Sequence, residues 1–146
     1  MKRLFTIYFL LGMSAIAYSQ NGVKVTSPFG TFTQVPKEMI GCGSSYFLSM
    51  GDRKATKYIG VDDGAKYGLF KIGNKLERFT EVKFISIIPQ KKWTSIYQNQ
   101  SKSIILTIEV KNQKPTGDED GFITGTITIE INGKKTIIPF VGDNGC

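Results

Sequence analysis

The chain has 146 residues, 21% charged and 40% apolar, with ten Phe, six Tyr and a formal net charge of +7. That balance excludes a disordered chain and suits one domain with its own core. There is no histidine, which excludes His-based catalytic triads and His-ligated zinc.

Residues 1–19 read as a signal peptide. Lys2 and Arg3 form a basic start, Leu4 to Ala17 is a mostly apolar run, and Ala17-Tyr18-Ser19 puts small residues at −3 and −1 before Gln20. The apolar run is shorter than the ~20 residues a membrane span needs. A single exported domain, residues 20–146, is therefore expected, with no transmembrane span in the mature chain. Losing Lys2 and Arg3 leaves 17 basic against 12 acidic residues, a net charge of +5. Such a charge favours an anionic envelope polymer or an acidic protein as partner, or serves solubility alone. The lysines are scattered, with no dense run of the kind that binds nucleic acid.

From Gln20 to about Lys37 the chain is loop-like, punctuated by Pro28, Gly30 and Pro36. Ser45–Met50 reads as the first strand, Gly51-Asp52-Arg53 as a turn, and Lys57–Val61 as the second strand, ended by Asp62-Asp63-Gly64. Lys66–Ile72 and Leu76–Thr80 form a hairpin around Gly73-Asn74, whose leading glycine suits a type II′ turn. Glu81–Ile88 is a further strand, apolar on both faces toward its end. Trp93–Tyr97 is a short aromatic strand, and Ile104–Lys111 alternates cleanly between apolar and polar residues. The polar stretch Asn112–Gly121 reads as a loop.

The strongest local signal is the last hairpin, Phe122–Ile131 and Lys134–Val141 around Asn132-Gly133. Both turn residues tolerate positive φ, as a two-residue type I′ turn needs. A turn of that length sets Glu130 opposite Lys135, Ile127 opposite Ile138, and Gly125 opposite Phe140, whose ring covers the glycine. Pro139 lacks an N–H and points to an edge or bulged strand. In all, about eight short strands joined by turns predict an all-β antiparallel meander, closed into a small barrel or folded as a sandwich.

Cys42 and Cys146 are the only cysteines. In an exported chain they are expected to pair, closing a loop of about 100 residues, for which chain entropy gives ~4.7 kcal/mol. Neither has a C-x-x-C partner, which argues against a reactive thiol. Asp118-Glu119-Asp120 lacks the alternating ligands of a calcium loop and reads as a solvated turn. No catalytic constellation, metal site or cofactor motif is present. Trp93 and Tyr97 share a strand face, either as an aromatic binding platform or as core filling.

Together, Gly41-Cys42-Gly43, Tyr58-Ile59, Lys71–Phe79 and the terminal Gly142–Cys146 resemble a group of small exported proteins of Gram-negative bacteria, many from Bacteroidetes. The resemblance spans about 36–146, and its motifs are turns and cysteines. The chain departs from the pattern with Gly-Asn in place of Asn-Gly, and with one Cys in each cysteine region. A weaker likeness is to the periplasmic inhibitors of C-type lysozyme, eight-stranded barrels clasped by a disulfide to the C-terminus. Their inhibitory loop, Ser-Gly-x-x-Tyr, is matched here by Asp63-Gly64-Ala65-Lys66-Tyr67, with Asp63 replacing the serine. That likeness makes Asp63, Lys66 and Tyr67 candidate contact residues. The expected function is a non-enzymatic periplasmic or secreted binding module. The alternatives are an envelope-defence inhibitor of a lysozyme-like enzyme and a structural or adhesive surface component.

Overall fold

The computed structural model describes residues 26–146; the expected leader and its cleavage point lie outside them. Eight strands follow one another around a closed barrel: β1 (Gly43–Phe47), β2 (Gly60–Asp62), β3 (Tyr67–Ile72), β4 (Lys75–Ile88), β5 (Lys92–Asn99), β6 (Ile104–Pro115), β7 (Gly121–Ile131) and β8 (Lys134–Gly145). Each strand runs antiparallel to its neighbours, and β8 pairs back onto β1 to close the ring. The meander expected from the sequence is a barrel, not a sandwich.

The last hairpin has the register that its turn dictates. Glu130 faces Lys135, Ile127 faces Ile138 and Gly125 faces Phe140. Asn132 and Gly133 take φ of 52° and 76°, and Lys135 Nζ lies 3.4 Å from Glu130. A Cβ on Gly125 would sit 1.9 Å from the Glu109 carbonyl oxygen and 3.0 Å from the Phe140 ring. Only glycine lets both close on this point. As part of a closed ring β8 is not an edge strand, yet Pro139 pairs with Thr126 alone, because pairing with β1 begins at Val141. The missing N–H falls where no partner strand runs.

Strand ends shift from expectation, since β1 stops at Phe47 rather than Met50, β2 is Gly60–Asp62 rather than Lys57–Val61, and β8 runs on to Gly145. Two further differences are larger. Met50–Lys54 is a short helix, α1, rather than a simple turn, because Ser49 caps it and Asp52 N donates to Ser49 Oγ at 3.1 Å. Arg53 then holds Asp143 of β8 in a two-pronged pair, Nε–Oδ2 2.9 Å and Nη2–Oδ1 2.7 Å, tying α1 to the barrel. The second difference is strand length. The stretches 76–80 and 81–88 are one continuous strand, β4, and much of the polar 112–121 stretch is strand as well, with Lys114 opposite Phe122. Cross-strand pairing there outweighs local polarity.

These longer strands make the two ends of the barrel unlike. At one end β4–β5 and β6–β7 run on as two arms, past the last β3–β4 pair at Tyr67 and Thr80 and the last β5–β6 pair at Trp93 and Val110. At the other end the N-terminal segment fills the wall beside β3. Gly30 N donates to Lys71 O and Gly73 N to Pro28 O, both at 2.9 Å, which delivers Phe29 into the core. Leu48, Ile72 and Ile131 pack around that end.

Between the ends lies an aromatic layer. The Phe70 ring stands 5.6 Å from Tyr46, 5.7 Å from Phe79 and 6.0 Å from Tyr97, and Tyr46 meets Phe140 at 5.1 Å. Gly60 makes room for it, since a Cβ there would lie 2.1 Å from the Phe70 ring.

Candidate functional site

Above the aromatic layer the inward positions turn polar. Moving two residues toward the open end leads from Tyr46 to Ser44, Gly60 to Asp62, Phe79 to Glu81, Tyr97 to Ser95 and Gly142 to Asn144. Strand alternation keeps all five on the inner face. They line a cavity of about 750 Å³, within the range of small-ligand sites and in the place where an eight-stranded barrel can hold one. Phe84 and Trp93 of the β4–β5 arm, and Asp118, Glu119 and Asp120 of the β6–β7 arm, add to its lining.

Asp62 is the fixed point of this site. It is buried, and its Oδ1 accepts from Ser44 N at 3.0 Å and Gly64 N at 2.9 Å, while Tyr46 Oη donates to Oδ2 at 2.5 Å. Burial pushes its carboxyl above the ordinary carboxylate range, although all three donors favour the charged form. Asn144 Nδ2 donates to Ser44 Oγ at 3.1 Å and continues the polar rim. Glu81 is also raised, first by burial and then by the nearby charges of Asp62 and Asp63, with Ser95 opposing. Tyr46 and Tyr97 are pushed up by burial and by the Asp62 charge. The cavity is therefore electronegative. Its lining holds five carboxyl groups (Asp62, Glu81, Asp118, Glu119, Asp120) and no lysine or arginine, in a chain whose net charge is +7.

The candidate residues from the sequence separate into two groups. Trp93 and Tyr97 share a face, as expected, but that face is the lumen: Tyr97 is buried in the aromatic layer and Trp93 packs half-buried at the cavity wall. Of the two readings of this pair, core filling holds for Tyr97, while Trp93 packs against the core and faces the cavity. Asp63, Lys66 and Tyr67 lie outside the cavity, the first two on the β2–β3 loop and Tyr67 at the start of β3. Asp63 Oδ1 accepts from Ala65 N, Lys66 N and Tyr67 N at 3.0, 2.7 and 2.8 Å. Slight burial pushes its pKa up, but these donors outweigh it and hold the carboxyl below the ordinary range. The Lys66 and Arg78 cations stack on the Tyr67 ring at 5.1 and 4.2 Å.

Cys42 and Cys146 are bonded across 104 residues of sequence, and Cys146 closes the rim of the cavity. The bond is compatible with an oxidising compartment. Among the described residues no helix is long and apolar enough to cross a membrane. Sequence reasoning missed Asp62, Glu81, Ser44, Ser95 and Asn144. The available signal was a polar residue at an inward register position, visible only once the strand ends are known.

The chain matches no protein-family model, no curated protein and no solved structure.

Proposed function

We propose that this protein is a non-enzymatic binding module of an exported, oxidising setting, and that the open end of its barrel takes a cationic group. One observation carries this reading: five carboxyl groups and the Trp93 and Phe84 rings line a cavity without a single basic side chain. Carboxylates supply the counter-charge, and an indole face supplies the cation–π contact that a desolvated ammonium or guanidinium favours. The three donors on Asp62 make it a fixed polar post rather than a mobile proton carrier. The basic residues outside the cavity account for the net charge and for solubility.

Trp93 is the chain's only tryptophan, so its emission reports on the site directly. Titration with lysine amide and arginine amide should shift that emission, weaken with added salt, and weaken again in Glu81→Gln. The reading fails if these cations leave the emission unchanged, or if acetate and glutamate act equally well.

A second reading, an inhibitor of a lysozyme-like enzyme, draws support from the β2–β3 loop. Asp63 locks that loop through three backbone donors, a preorganised shape of the kind inhibitory loops use. Lysozyme assays with excess protein test it, and Lys66→Ala with Tyr67→Ala should abolish any inhibition seen.

A further inference from the structure

Nine large apolar side chains are exposed among the described residues, and five of them, Val82, Phe84, Ile85, Ile87 and Ile88, sit on one stretch of β4. On one edge this stretch pairs with β5, from Lys83 opposite Ile96 to Ile88 opposite Lys92. On the other edge pairing with β3 stops at Tyr67 and Thr80, followed by a last bond from Glu81 N to Lys66 O at 2.7 Å. Beyond that bond no described strand lies beside β4. Register shifts at Val82 and Ile87 bracket a regular open run, Lys83–Ser86.

A row of unpaired strand N–H and C=O groups is completed by another extended backbone. A second copy of this chain fits poorly. The bulges interrupt a long edge, Lys83 sits within it, and two chains of like net charge repel. The cavity points elsewhere. The open edge stands above the low rim made by the β2–β3 loop, whose Gly64 and Ala65 line the cavity. Phe84 and Ser86 lie opposite Ser95 and Trp93 and share their inward face. Alternate side chains of a strand added here would turn the same way, toward Glu81 and Asp62.

We infer that the Lys83–Ser86 edge takes an extended segment of a partner protein as an added β-strand, with apolar residues alternating with lysine or arginine, the basic side chains entering the acidic cavity. The segment would complete the missing wall of the barrel's open end. Backbone pairing supplies the affinity, and the carboxylates select the charge. This inference rests on the cationic reading of the cavity above.

The test uses the purified protein and synthetic peptides, with Trp93 emission and calorimetry as readouts. A short capped peptide alternating valine and lysine should bind about tenfold or more tighter than lysine amide, because it adds backbone bonds to the same charge contact. N-methylating its alternate amides should remove that gain, and the valine–glutamate counterpart should not bind. Equal affinity for the peptide and lysine amide, or indifference to N-methylation, overturns strand addition while leaving the cavity reading intact. Silence from lysine amide overturns the cavity reading itself. A peptide-free dimer in sedimentation that Ile85→Lys dissolves would assign the edge to a second copy and overturn the inference.

Discussion

The two ends of the barrel are built from the same strands under the same alternation rule, yet they obey opposite chemistries. At the packed end the inward strand positions are Ile72, Ile104 and Ile131, joined by Phe29 from the N-terminal segment. At the open end they are Ser44, Asp62, Glu81, Ser95 and Asn144. Apolar burial stabilises the first end by about 25 cal/mol per Å². Burying a carboxyl at the second works against folding, as the raised pKa of Asp62 shows. Polar groups held where an isoleucine would pack break the consistency of the fold, and that local departure is what motivates the binding proposal. The arms sharpen the contrast, since β4 carries apolar residues into solvent where a purely structural barrel would end at Thr80.

Substitutions at the two ends should separate these roles. The largest effect is expected from Phe79→Ala, which empties a fully buried position beneath the Phe70 ring. It should cost about 3–5 kcal/mol in urea denaturation and leave the cation response of the remaining folded protein little changed. Asp62→Ala comes next. It strands Ser44 N, Gly64 N and Tyr46 Oη, and at ~1–3 kcal/mol for an unsatisfied buried group the loss should be about 3 kcal/mol. Asp62→Asn keeps an acceptor for the two backbone donors and should cost about 1 kcal/mol, in the range of one net hydrogen bond, yet weaken lysine amide binding. If Ala and Asn destabilise equally, the hydrogen bonds at the open end do not hold the site together, and the contrast between the ends loses its physical basis.

Much of the barrel was legible in the sequence because its cues are local. Asn132-Gly133 fixes a register, that register sets Phe140 over Gly125, and two cysteines leave one pairing. The helix Met50–Lys54 was not legible, since five residues are too few for a helical period to show. The site was less legible still. Asp62 belongs to an Asp-Asp-Gly run that looks like turn chemistry, and Asp63 does serve the turn, while its neighbour is buried through contacts with β1. Glu81 was placed by a bulge. The shift between Glu81 and Lys83 turns Glu81 and Phe84 to the same inner face, which strict alternation from Val82 to Ile88 does not give. Features created by long-range pairing leave no local pattern to read.

The smallest expected effect is also the most discriminating, because it moves fold and site in opposite directions. Asp62 and Glu81 both have raised pKa values in the folded chain, principally through burial. Between the ordinary carboxylate range and those raised values the native state holds more protons than the unfolded one. Their contribution to stability is therefore full on the acid side of that window and declines as pH rises through it. Asp63, lowered and only partly buried, acts in the opposite sense at more acid pH and lies outside the window. Ligand affinity should follow the charge instead: each carboxyl that ionises strengthens the cavity for lysine amide. Raising pH through the window should thus lower the urea midpoint slightly while tightening the response of Trp93. In the double variant Asp62→Asn, Glu81→Gln both slopes should flatten together. Stability and affinity rising in parallel would mean that other groups govern the pH response and that the open end is not a strained electronegative site.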